Sequence, residues 1–307
     1  MNKLFIIVLI IMIGCFLNKP LFALERFFYD SPRPMAMGSA FVSVADDIND
    51  IFYNPAGLAV LQHDDKIEVL GMLARHSIEE ERYGILGARG LVKNPLLGGI
   101  FPNFGFGVVE QQNRELIELD PPLFGAMPLD AKYVTYILGF GKEINDKLSF
   151  GLNFKMFDCS PSYKNNGKTY RKNEQWFNGD VGLLLKPRKN LFFGIVVKNI
   201  SVISNTWAEQ KPILKIGTAY QGAGDKLLLT TDVSEKADSP SLDISFGAEI
   251  KLLDWLFLRS GYKQSQDSQT MSGGLGVKPF ENFWLDYVYQ NNESLTSKHL
   301  VSVGGRI

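Results

Sequence analysis

The groups in this chain whose types most often carry chemistry are three histidines, His63, His76 and His299, two cysteines, Cys15 and Cys159, and the acid run Asp46-Asp47-Ile48-Asn49-Asp50. A serine hydrolase needs its serine on a sharp turn beside a base, and no Gly-x-Ser-x-Gly word occurs. Gly167-Lys168-Thr169 has the ending of a phosphate loop, but Ser162 stands where the first glycine belongs. The acid run lacks the spacing and glycine of a calcium loop and reads as caps for neighbouring turns. No metal set, cofactor site or catalytic group follows, and the chain is read as a non-enzyme. Lys and Arg total 32 against 33 Asp and Glu, a formal net charge of -1, so nothing points to nucleic acid as a partner.

The charges are more informative in their alternation. From Leu148 to Phe157, Leu148, Phe150, Leu152, Phe154 and Met156 fall on one face of a strand and Ser149, Gly151, Asn153 and Lys155 on the other. The same period of two puts Val134, Tyr136, Leu138, Phe140, Phe246, Leu285 and Val303 on one side of the wall. It puts Asp180, Lys198, Asp232, Glu249, Arg259, Asp286 and Arg306 on the other. A soluble sheet would leave the apolar face uncovered. A transmembrane barrel places it against lipid and the charges in a wet lumen, and a charge on the wrong face near the midplane would cost about 2–4 kcal/mol.

The elements that must carry this pattern are strands. Segments at 66–74, 83–91, 104–112, 133–142, 148–157, 177–186, 192–199, 213–221, 227–234, 243–251, 256–263, 270–278, 283–290 and 299–307 alternate, which makes fourteen. From Glu143–Lys147 onward every second gap is short and holds Asn or Asp, as turns on the periplasmic side of a bacterial barrel do. The others, among them 113–132 and 158–176, are longer. The gap 92–103, with Pro95 and Pro102, predicts a kinked or interrupted wall. The expected fold is therefore all-β, an antiparallel up-and-down barrel of about fourteen strands over residues 66–307. Ahead of it, Met1-Asn2-Lys3, the apolar run Leu4 to Leu17 and Ala23 predict a secretory signal over 1–23. Met12-Ile13-Gly14-Cys15 matches a lipoprotein box only loosely, because the apolar run continues past Cys15. Loss of the signal would leave Cys159 as the one cysteine, with no internal disulfide.

Residues 24–65 do not alternate. They contain Met35-Ala36-Met37-Gly38-Ser39-Ala40-Phe41-Val42-Ser43-Val44-Ala45-Asp46-Asp47 and Ile51-Phe52-Tyr53-Asn54-Pro55-Ala56-Gly57-Leu58-Ala59. Asn54 is a good helix cap and Pro55 a good first helical residue, so a helical turn is expected at 55–60. With about fourteen strands behind them, these words resemble the FadL-type outer-membrane transporter superfamily, and more closely its PorV/PorQ-like branch. The resemblance implies that residues 24–65 fold into the lumen as a hatch. Gly38, Asp46 and Asp47 match its small-residue and acidic words, and Asn54, Pro55 and Ala56, followed by Gly57, match its Asn-Pro-Ala word.

The resemblance further implies a protein of the cell outer membrane of a diderm bacterium, surrounded by lipid. Its expected role is passive transport of hydrophobic small molecules such as long-chain fatty acids. The alternative, implied by the PorV-like branch, is a docking and shuttle component of a secretion system. Secreted proteins would then meet the long segments 113–132 and 158–176 through groups such as Pro121, Phe124, Tyr163, Tyr170 and Trp176.

Overall fold

The alternating segments become strands because a period of two gives a sheet one apolar and one polar face, and closing that sheet leaves no unpaired edge. The computed structural model describes residues 31–44, 46–60, 67–75, 82–91, 103–118, 126–165, 168–171, 173–203, 210–237, 242–266, 268–292 and 297–307. Its strands are β1 Glu68–Arg75, β2 Arg82–Leu91, β3 Asn103–Glu118, β4 Ala126–Asn145, β5 Leu148–Asn165, β6 Lys168–Arg171, β7 Glu174–Arg188 and β8 Leu191–Ile203. They continue as β9 Ile213–Gly222, β10 Leu227–Lys236, β11 Leu242–Leu253, β12 Leu256–Gln264, β13 Gln269–Phe280, β14 Phe283–Asn292 and β15 Lys298–Arg306. Each strand is antiparallel to its neighbours, and the pairing of β1 with β15, through Glu68↔Arg306 to Leu73↔Val301, closes the ring. Fourteen strands make the barrel. The short β6 pairs only with the end of β5, while β7 takes the place beside β5 in the wall.

Two long gaps expected as loops are largely strand. β3 and β4 stay in register from Asn103↔Gly141 to Glu118↔Ala126, and β5 runs on to Asn165, so these strands are 16, 20 and 18 residues long. Trp176, expected on an external partner surface, is instead 1% exposed inside the barrel and stacked on Phe157 at 5.0 Å. The signal, residues 92–102 of the kinked gap, His63, His76, Pro121 and Phe124 lie outside the described residues.

The faces follow the sequence parity. Phe154, Phe246, Leu285 and Val303 are exposed and Phe150 is half-buried on the outer face of the barrel. Lys155, Glu249 and Asp286 are buried on the other side, where Arg306 meets Glu68 at 2.6 Å. Around the described turns, the β9–β10 connection uses left-handed backbone at Ala223, Gly224 and Asp225 (φ 53, 63 and 65) to reverse in a tight hairpin. β8 carries bulges opposite β7, and Asn199 takes a left-handed conformation there (φ 59). The Asn199 amide N–H then donates to Asp180 Oδ1 at 2.9 Å, which holds the bulge in place.

Candidate functional site

The inner faces of the strands are unusually poor in side chains along one belt, where cross-strand partners are both glycine. Gly87 pairs with Gly107, Gly105 with Gly139, Gly141 with Gly151, Gly151 with Gly182, Gly194 with Gly217, and Gly247 with Gly261. This belt leaves a groove around the inside of the wall. Residues 31–44 and 46–60 lie in it. A Cβ on Gly247 would stand 2.6 Å from Met37 O, and one on Gly139 would stand 2.9 Å from Leu58 Cδ1. At Gly274 it would meet Ala36 Cβ at 2.5 Å, and at Gly151 it would collide with the Pro55 carbonyl. The backbone of the N-terminal segment thus comes closer to the wall than any side chain would permit.

Locally the segment folds as its sequence dictates. Ser31 precedes a short helix, α1, at Pro32–Ala36, with Pro at its start. α2 spans Asp50–Tyr53 and ends at Asn54. Asn54 Oδ1 accepts the Ala56 N–H at 3.1 Å and starts the 3-10 turn Pro55–Val60. Its Nδ2 donates both to Val42 O (2.8 Å) within the segment and to Leu183 O (3.1 Å) on β7. Gly38 has φ +64, and a Cβ there would approach the Phe246 and Tyr262 carbonyls to 2.7 Å, so only glycine fits. Gly57 is pressed against the Asp50 carboxylate, 2.5 Å from Cγ to a would-be Cβ. Asp47 Oδ1 caps the Asn49 N–H at 2.8 Å, the capping role its position suggests.

Ion pairs that the sequence spacing does not reveal tie this segment to the barrel. Arg33 of α1 holds Asp46 (2.7 Å), Asp47 (2.6 Å) and Glu249 of β11 (2.9 Å). Glu249 also meets Arg259 at 2.6 Å, and Arg259 meets Asp286 at 2.6 Å. In a second group, Arg89 of β2 bridges Asp50 (2.8 Å) and Glu68 (2.6 Å), and Glu68 meets Arg306. Burial opposes the charge on Arg33, but Asp46, Glu249 and Asp47 together hold its pKa well above the ordinary value. Burial raises the Asp50 carboxyl well above the usual carboxylate range, against the pull of Arg89.

Hydrogen bonds from wall side chains to the segment's backbone complete the attachment. Asp232 accepts the Phe41 and Val42 N–H groups at 2.8 and 3.0 Å, Asn153 Nδ2 donates to Ile51 O at 2.8 Å, and Lys198 Nζ donates to Phe52 O at 2.8 Å. Of the residues singled out from sequence, Gly38, Asp46, Asp47, Asn54, Pro55, Ala56 and Gly57 all belong to this one docked segment. Arg33, Glu68 and Arg89 were missed, and Asp50, read only as a cap, is an ion-pair partner of Arg89. An arginine between two prolines in an otherwise apolar word was the one signal that could have marked Arg33.

Glu68, Arg89 and Arg306 lie at the barrel end formed by the short turns. Toward the other end Met72, Ile85, Val109, Ile137, Phe157, Trp176, Val288 and Leu300 are buried, in one apolar cluster with Met35, Phe41, Ile48 and Phe52 of the segment. His299, on the outer surface, bonds the Tyr287 hydroxyl at 2.7 Å, and no metal-ligand set occurs among the described residues.

No family model and no curated protein matches this sequence. Solved structures do match its fold. A deltaS2S3 mutant of the monoaromatic hydrocarbon channel TodX superposes with a TM-score of 0.64 at 13% identity, over 90% of this chain and 98% of that one. The toluene transporter TodX of Pseudomonas putida gives 0.62 at 13% identity, over 94% and 99%. A FadL homologue of Pseudomonas aeruginosa gives 0.58 at 12% identity, over 90% and 95%. At these identities the likeness establishes a shared barrel architecture along nearly the whole of each chain.

Proposed function

We propose that this chain is an outer-membrane channel for hydrophobic small molecules, closed by residues 24–65 acting as a hatch, and that it is not an enzyme. The observation that carries the reading is the buried apolar cluster that the barrel and the N-terminal segment share toward the longer connections. Met72, Ile85, Val109, Ile137, Phe157 and Trp176 belong to it, beside buried polar groups such as Gln111, Thr135, Lys155 and Asn178. Supporting it, the solved barrels of the same architecture include TodX, described as a toluene transporter and as a monoaromatic hydrocarbon channel. The outward rows of Phe, Leu, Ile and Val match a lipid-facing wall, which supports residence in the outer membrane of a diderm bacterium. Long-chain fatty acids and monoaromatic hydrocarbons are both candidate cargoes.

The secretion-docking alternative is not favoured, since parts of 113–132 and 158–176 are strand and Trp176 faces inward. The test is uptake of labelled toluene and labelled oleate by cells whose own hydrophobic channels are deleted, with and without this protein. Faster entry of at least one, with maltose entry unchanged, is expected. Entry rates that do not depend on the protein would refute the proposal.

A further inference from the structure

At the turn end, beneath residues 43–60, lies a cavity of about 340 Å³, within the size range of about 300–1,000 Å³ usual for small-molecule sites. Its walls come from two bodies. Ser43, Val44, Asp46 and Val60 belong to the N-terminal segment, and Lys186, Phe192, Leu228 and Phe257 are among those from the barrel. The lining charges are not equivalent. Glu68 and Glu249 are each held by two guanidinium groups, Asp46 is held by Arg33, and Lys251 is paired with Asp254 at 2.8 Å. Lys186 and Lys226 differ, because neither has a carboxylate within ion-pair distance among the described residues. The Lys186 ammonium stands over the Phe192 ring, 5.2 Å from its centroid. The remaining lining acid, Asp225, sits in the β9–β10 turn beside Lys226.

Two ammonium groups without a salt-bridge partner among the described residues, Lys186 over the Phe192 ring and the exposed Lys226 in the field of Asp254, share this lining with Phe192, Leu228 and Phe257, a combination that suits an anionic head with a greasy body. We propose that this cavity is a binding site for an amphiphilic anion, its head on Lys186 and Lys226 and its apolar body on Phe192, Leu228 and Phe257. A neutral hydrocarbon would leave the lysines unused, and a small inorganic anion would leave the apolar floor wet. A cationic amphiphile would meet both ammonium groups with like charge. Because Val44 and Val60 form part of the wall, a bound anion would also touch the N-terminal segment from the side opposite the apolar cluster.

The site is tested by equilibrium dialysis of octanoate and of octylammonium against the intact protein in amphipol, with empty amphipol subtracted. Octanoate is expected to bind at least tenfold more tightly than octylammonium. The double variant Lys186→Gln/Lys226→Gln is expected to lose tenfold or more in octanoate affinity, while Lys132→Gln, an exposed lysine on the outer wall, changes nothing. Equal binding of the two amphiphiles, or octanoate binding indifferent to the lysine pair, would overturn the proposal. Binding is read without transport, so a barrel that passes no cargo would still show this site. Uptake that proceeds with octanoate binding unchanged in the double variant would refute the site and leave the channel reading intact.

Discussion

The guanidinium of Arg33 grips the carboxylate of Glu249 in two places, Nε to Oε2 at 2.9 Å and Nη2 to Oε1 at 3.0 Å, joining residues 216 positions apart. This forked pair links the N-terminal segment to strand β11, and through Arg259 to Asp286 on β14. Removing one partner of a buried pair strands the other, at a cost of about 3–5 kcal/mol. Since Asp46 is half exposed, the lower part of that range applies here. Arg33→Met is expected to speed hydrogen exchange in residues 31–60 while the barrel strands keep their protection. Unchanged exchange in the segment would mean that the pair contributes nothing to docking.

The glycine belt gives a steric test with an internal control. A side chain on Gly247 would collide with Met37, whereas one on Gly71 would meet nothing within 4 Å. Gly247→Val should therefore displace the segment and raise single-channel conductance. Gly71→Val should leave conductance at the level of the unaltered protein. Similar conductance in both variants would contradict the packing described.

Asn54 makes three bonds at once, to Ala56, Val42 and Leu183. Asn54→Ala is expected to weaken docking by about 1–2 kcal/mol from the lost cap, with a further loss where the Val42 and Leu183 carbonyls are left unpaired. Limited proteolysis from the turn side should cut within 46–60 more readily. Resistance equal to that of the parent chain would argue against Asn54 as an anchor.

Wall parity predicts unequal outcomes for neighbours in β5. Phe154 is 57% exposed on the lipid side and Asn153 is 2% exposed on the inside. Phe154→Arg puts a charge into hydrocarbon at a cost of about 2–4 kcal/mol and should block insertion into vesicles. Asn153→Ala should insert normally yet loosen the segment, because the bond to Ile51 O is lost. Equal insertion of both variants would contradict the assigned faces.

The wall was legible in the sequence because a period of two is a local signal, and each strand repeats it independently. Fourteen segments and their faces were recovered on that basis, from Leu148–Phe157 to the last strand. The upper reaches of β3, β4 and β5 were not, since Pro128 and Pro161 and the polar run Asp158–Ser162 read as loop. Paired neighbours hold those residues in register regardless. The Asn54-Pro55 turn was also readable, as capping chemistry is local. The ion pairs were not. Arg33 with Glu249, and Asp50 with Arg89, are contacts between distant positions, and only closure of the barrel brings them together.

The central claim is that residues 31–59 close the barrel, and conductance across a planar bilayer measures it most directly. The intact protein should conduct poorly, while a chain lacking residues 31–59 should still fold, as judged by its shift on heating in gels, and open a steady, wide pore. A wide steady pore in the intact protein, or a deletion whose conductance matches it, would contradict the account.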